Sequence, residues 1–134
     1  MNDGMHETVM LDIALEVQKA MPRVMKDHIF KHLWAYKYQS GENEEHCTGI
    51  HVHADDAMIN INLWITPDDA NLDPNPGGLV FFTVKPPRDW DFKRFNANWE
   101  YIDEHLLRPS GYANVTIPYK QNRAVIFDSF LFHK

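Results

Sequence analysis

The chain of 134 residues is long enough for one domain with its own core, and its 44% apolar content is ordinary for a globular protein. Its 19 acidic and 13 basic side chains give a net charge of −6, with the lysines and arginines scattered, so no nucleic-acid partner is expected. A single cysteine, Cys47, excludes an internal disulfide and any multi-cysteine zinc or iron–sulfur site.

The opening residues, MNDGMHETVMLD, contain no basic segment followed by an apolar run, and no window approaches the length of a membrane span. The cytoplasm is the expected compartment, with no membrane partner. Residues 8–21, TVMLDIALEVQKAM, carry a narrow polar stripe at Asp12, Glu16 and Lys19 among apolar groups, the pattern of a well-buried amphipathic helix. Pro22 ends or restarts it, and a helical N-terminal segment is expected over 1–28. Next, IFKHLWAYKYQS (29–40) reads as an aromatic-rich strand with Tyr36 and Tyr38 on one face and Lys37 on the other. That reading removes His28 and His32 from a shared helical face, and SGENE then makes a turn.

Residues 49–56, GIHVHADD, form the next extended stretch. From Met58 to Thr66 the chain alternates, with Ile59, Ile61, Leu63 and Ile65 on one face and Asn60, Asn62, Trp64 and Thr66 on the other. A loop dense in Pro, Asp, Asn and Gly (67–78) leads to the strand GLVFFTV (78–84). Pro86 and Pro87 open a long connection, and Trp99, Ile102 and Leu106 predict a short helix over about 96–107 by their spacing. ANVTIPY (113–119) and RAVIFDS (123–129) complete six or seven strands joined by turns. This is an all-β core with an N-terminal helix, a β-rich α+β chain whose strands (29–134) suit a β-sandwich or jelly-roll barrel. The 4 Trp, 5 Tyr and 8 Phe suit such packing or a lined pocket.

In the stretch from His51 to Asp55, period-two alternation sends His51, His53 and Asp55 to one side and Val52 and Ala54 to the other. His53-Ala54-Asp55 is a His-x-Asp pair, and His133 follows about 80 residues later at the end of another β run, VIFDSFLFHK. Two histidines and one carboxylate can occupy one face of an octahedral metal, the arrangement of non-haem Fe(II) oxygenases. Three coordination positions stay open, two for a bidentate 2-oxo acid and one for dioxygen. A rival reading takes His51-Val52-His53 as the His-x-His opening of a cupin metal site. Such a site adds a glutamate a few residues on, where this chain has Ala57, Met58 and Ile59. His51 is therefore expected to support a ligand or line the pocket rather than bind the metal.

HADDAMININLWITPDDANLDPNPGGLVFF and YKQNRAVIFDSFLFHK together resemble the 2-oxoglutarate/Fe(II)-dependent dioxygenase superfamily, and within it the phytanoyl-hydroxylase-like group. The likeness spans roughly the central and C-terminal two-thirds of the chain. It implies a double-stranded β-helix (cupin-like jelly roll) and an Fe(II)/2-oxoglutarate-dependent hydroxylase acting on a small-molecule or peptide substrate. It also implies His53, Asp55 and His133 as the catalytic metal ligands. Asn62 and Trp64 would face the cosubstrate or fill an ordinary barrel interior, and Tyr36 and Tyr38 would bond its carboxylate or pack in the core.

Members of that superfamily continue past the distal histidine into a strand bearing an Arg or Lys that clamps the far carboxylate of 2-oxoglutarate. This chain ends at Lys134, so the last strand and the usual clamp are expected to be missing. Lys37 is the candidate substitute, and Arg123 reads as a surface or rim group. An exposed sheet edge would invite a homodimer. The alternative function is a metal-binding or catalytically incomplete cupin-like β-barrel with a binding or assembly role.

Overall fold

Met, Leu, Ala, Glu, Gln and Lys favour the helical backbone, and α1 (Thr8–Ala20) is built largely from them. Proline fits the first turn of a helix because its missing N–H would be unpaired there anyway, and α2 (Pro22–Met25) restarts the chain on that residue. Gln18 ties the turn that follows, its Nε2 donating to the carbonyls of Met25 and His28 at 3.4 and 3.3 Å. The computed structural model describes residues 8–34, 51–71 and 78–134, in two compact units, Met1–Glu44 and Glu45–Lys134.

Two expectations for the first unit are corrected. No residue of α1 is buried, since only the short α2 packs against it among the described residues of its own unit. Residues 29–34 form no strand. A strand exists only where its backbone groups find a partner, and here Ile29 and Phe30 stand exposed. Tyr36, Lys37 and Tyr38 lie outside the described residues.

The second unit holds four short antiparallel strands in two sheets. β1 (Ile59–Trp64) pairs with β4 (Arg123–Asp128), from Ile59 opposite Asp128 to Trp64 opposite Arg123. β2 (Gly78–Phe82) pairs with β3 (Asn114–Pro118), from Gly78 opposite Pro118 to Phe82 opposite Asn114. The last three residues extend the second sheet. His133 and His53 exchange backbone hydrogen bonds of 3.0 and 2.8 Å, and Val80 and Lys134 exchange bonds of 2.9 and 3.1 Å. Residues 132–134 thus run between the segment at His53 and β2.

Among the described residues four strands stand where six or seven were expected of the chain, and no barrel closes. The run from Arg123 to Lys134 is interrupted at Asp128. Its carboxylate accepts from Phe130 N at 3.0 Å and its carbonyl accepts from Leu131 N at 3.0 Å, so the chain turns there. The facing chain turns too. Ala57 N donates to Asp55 O at 2.9 Å, and Asp55 N donates to Ser129 O at 2.9 Å, which joins the two corners.

Helices cover the core. α3 (Phe92–Asn96) is capped by Asp91, which accepts from Arg94 N at 2.9 Å, and α4 (Trp99–Ile102) by Asn98, which accepts from Tyr101 N at 3.1 Å. The helix expected over 96–107 is therefore split at Asn98. A π-helical turn (Asp103–Leu107) follows, closed by Arg108 N donating to Asp103 O at 2.8 Å. Ala54, Phe82, Phe95, Ile102, Leu107 and Phe132 are buried together beneath these helices.

Gly78 starts β2 with φ +139°, and a Cβ there would lie 2.3 Å from the carbonyl oxygen of Ile117. Only glycine fits, because the clash is with backbone that cannot swing away. Gly78→Ala is expected to destabilise the fold by about 1–3 kcal/mol through strain at this φ alone. Urea unfolding followed by tryptophan fluorescence measures the loss, and an unchanged midpoint would contradict the geometry.

Candidate metal centre

The backbone bonds between His53 and His133 bring together two residues 80 positions apart, and the same corner carries Asp55. The imidazole centroids stand 4.4 Å apart. His53 Nε2 lies 4.0 Å from Asp55 Oδ1, and His133 Nε2 lies 3.4 Å from Asp55 Oδ2. One ligand atom from each residue falls within 4.8 Å of the others, and this is the one such triple among the described residues. At about 2.1 Å per bond, ligand atoms stand about 3.0 Å apart in an octahedral face and about 3.4 Å in a tetrahedron. A bound cation would have to draw the three closer.

Both rings are held in the same way. His53 Nδ1 lies 2.8 Å from the carbonyl of His51, and His133 Nδ1 lies 2.9 Å from that of Leu131. A carbonyl can only accept, so each Nδ1 carries the hydrogen and, in the neutral ring, each Nε2 presents its lone pair to the centre. Metal-bound histidines are typically oriented this way, by giving the other ring N–H to a carbonyl or carboxylate. His51 thus serves the site through its backbone. Its own ring is exposed and stacks on Trp99 at 6.1 Å.

The side chain of Asp55 is 19% exposed and that of His133 6%, against 34% for His53. Burial pushes the Asp55 carboxyl up, but with the rings protonated the hydrogen bond and charge of His133, the Asn60 amide and the charge of His53 outweigh it and leave the group below its ordinary value. Asn60 Nδ2 donates to Asp55 Oδ2. Asp55 is therefore an oriented carboxylate with two imidazoles beside it, a donor set that could hold a metal ion.

Cross-strand partners share a face, so Asn60, Asn62 and Trp64 lie on the same side of the β1–β4 sheet as Phe127, Val125 and Arg123. Asn60 touches the centre, whereas Trp64, at the far end of β1, packs against Tyr119 at 5.4 Å. Asn62 lies between them on that face. The Phe127 and Phe81 rings stand 5.0 and 6.1 Å from His133 and also line an apolar cavity of about 390 Å³, with Val115, Ile117, Val125 and Leu131.

Sequence reasoning singled out neither Asn60 nor Asn96. Asn60 shares the parity of Asn62 and Trp64, a signal that was available. The side chain of Asn96 meets the backbone of Ala54 across 42 positions, and no local pattern announces that.

The chain matches no family model, no curated protein and no solved structure. No helix among the described residues is long and apolar enough to cross a membrane.

The turn that delivers His133 depends on Asp128. The hydrogen bond from Lys85 Nζ, at 2.7 Å, holds its carboxyl below the usual 3.8, with the Phe130 amide assisting against a smaller effect of burial. A carboxyl lowered by folding stabilises the fold above its ordinary value, and that contribution disappears as pH falls through the lowered value. Asp128→Asn should therefore be less stable than the parent protein at neutral pH, with the gap closing below about pH 3.8. Urea unfolding across pH 2.5–7 measures it, and a gap that stays constant would show that the charge is not involved.

Proposed function

We propose that the chain is a non-haem Fe(II)- and 2-oxoglutarate-dependent oxygenase domain with a jelly-roll architecture. The observation that carries this reading is the convergence of His53, Asp55 and His133, with both imidazole Nε2 atoms turned to the carboxylate and both Nδ1 atoms bound to carbonyls. The strands support the reading only in being antiparallel: the segment at His53, residues 132–134, β2 and β3 lie side by side in that order, and β1 pairs with β4.

In this reading the two histidines and Asp55 would hold iron. Iron, when bound, supplies the redox chemistry that activates dioxygen for hydroxylation of a C–H bond. Asn60 keeps the carboxylate turned to the centre. Phe81 and Phe127 pack beside His133 and also line the apolar cavity, which none of the three ligands lines.

One observation favours the alternative, a metal-binding β domain that does not turn over 2-oxoglutarate. Among the described residues, the lining of the cavity beside Phe81 and Phe127 is Phe, Val, Ile, Leu and Thr, with neither a metal ligand nor a lysine or arginine to pair with a second carboxylate. Lys37, the proposed substitute clamp, lies outside the described residues. Anaerobic titration of the Fe(II)-loaded protein with 2-oxoglutarate separates the two readings. A metal-to-ligand charge-transfer band that saturates is the result expected of an oxygenase. Iron binding with no band at any 2-oxoglutarate concentration would leave the metal-binding reading.

A further inference from the structure

We propose that Asn96 is a positioning residue that sets the bite of His53 and Asp55, an inference that rests on reading these side chains as metal ligands. Along an extended segment, successive residues turn their backbone N–H and C=O to opposite edges. His53 turns both groups to His133, so Ala54 turns both of its own to the other edge. There the Asn96 amide meets them. Ala54 N donates to Asn96 Oδ1 at 2.8 Å, and Asn96 Nδ2 donates to Ala54 O at 2.9 Å. One side chain makes the pair of bonds that a neighbouring strand would make.

Ala54 is the residue between the two ligands. It is 1% exposed, and its methyl group enters the core on the face opposite His53 and Asp55. With its backbone held by Asn96 and its side chain held by the core, the two flanking side chains are fixed toward one point. Asn96 is itself anchored. It ends α3, and its neighbour Phe95, 3% exposed, packs edge-on against Phe132 at 5.5 Å, one residue from His133. The amide is the required chemistry, since it offers a donor and an acceptor in one plane, whereas a carboxylate would meet the Ala54 N–H but oppose its C=O. Asn96 makes no hydrogen bond to His53, Asp55 or His133 among the described residues, so its effect on a metal passes through the backbone of Ala54.

The test is Co(II) titration of the whole chain and of three variants, with the visible spectrum recorded and amide exchange at Ala54 followed by NMR. Asn96→Ala removes both bonds. Asn96→Asp, of the same shape, removes one and serves if the first variant does not fold. Lys93→Ala changes an exposed side chain of α3 and leaves the Asp91 cap and Asn96 in place. Both Asn96 variants are expected to bind Co(II) about 10- to 100-fold more weakly, with an altered ligand-field spectrum. Exchange of the Ala54 amide should be faster in Asn96→Ala, whereas Asn96→Asp still accepts from it. Lys93→Ala should leave affinity and spectrum unchanged. Folded Asn96 variants that bind as tightly as the parent, or an equal loss in Lys93→Ala, would overturn the positioning role. A parent protein that takes up no Co(II) would overturn the metal reading itself, and this role with it.

Discussion

Asp55→Ala is expected to abolish stoichiometric metal uptake while leaving a cooperative unfolding transition in place. Asp55 is the one carboxylate between two imidazoles, 3.4 and 4.0 Å from their Nε2 atoms, and it supplies the negative charge of the donor set. Removing a ligand should cost more than the roughly 10- to 100-fold typical of residues that only orient ligands. Equilibrium dialysis against Co(II) with metal analysis gives the occupancy. His133→Ala should behave like Asp55→Ala. His51→Ala should retain binding, because His51 contributes its carbonyl and not its ring. One equivalent of metal retained by Asp55→Ala would show the triple to be a structural cluster. Loss of metal in His51→Ala with retention in Asp55→Ala would instead favour the His-x-His reading.

The second large effect is on stability. Phe132 is fully buried, packs against Phe95, and has its carbonyl bound by Phe82 N at 2.8 Å. Phe132→Ala leaves a cavity where α3 and the extended second sheet meet, and truncations of this kind cost about 3–5 kcal/mol. That is a large share of the roughly 5–15 kcal/mol that holds a typical domain folded. Chemical denaturation should show a much lower midpoint, with a smaller shift for Phe132→Leu, which refills part of the space. Because Phe132 precedes His133, Phe132→Ala should also weaken metal binding. A midpoint within experimental error of the parent would contradict the packing described.

Much of the second unit was legible in the sequence. The alternation over 58–66, the run GLVFFTV and the segments 113–119 and 123–129 correspond to β1, β2, β3 and β4, because side-chain alternation and turn residues are local properties that survive folding. The apolar spacing of Trp99, Ile102 and Leu106 marked the helical layer, although the Asn98 cap divides it. Over the described residues 29–34 the aromatic run misled, since β propensity at Ile29 and Phe30 has no effect without a partner edge. The turn at Asp128 also escaped, because its carboxylate captures the Phe130 amide inside what reads as one unbroken strand.

The same division holds at the candidate site. His53 and Asp55 share a face by strand parity alone, so the sequence by itself determined that an imidazole and a carboxylate stand together. Which distant histidine joins them depended on the antiparallel pairing of His53 with His133 across 80 positions. Orientation was decided only by tertiary structure. The Nδ1 bonds to the His51 and Leu131 carbonyls, the Asn60 amide on Asp55 and the Asn96 amide on Ala54 each depend on how the chain turns or on what it meets. Residue types and their spacing supply the donor atoms. The directions in which those atoms point come from hydrogen bonds that form only once the sheets and the helical layer have assembled.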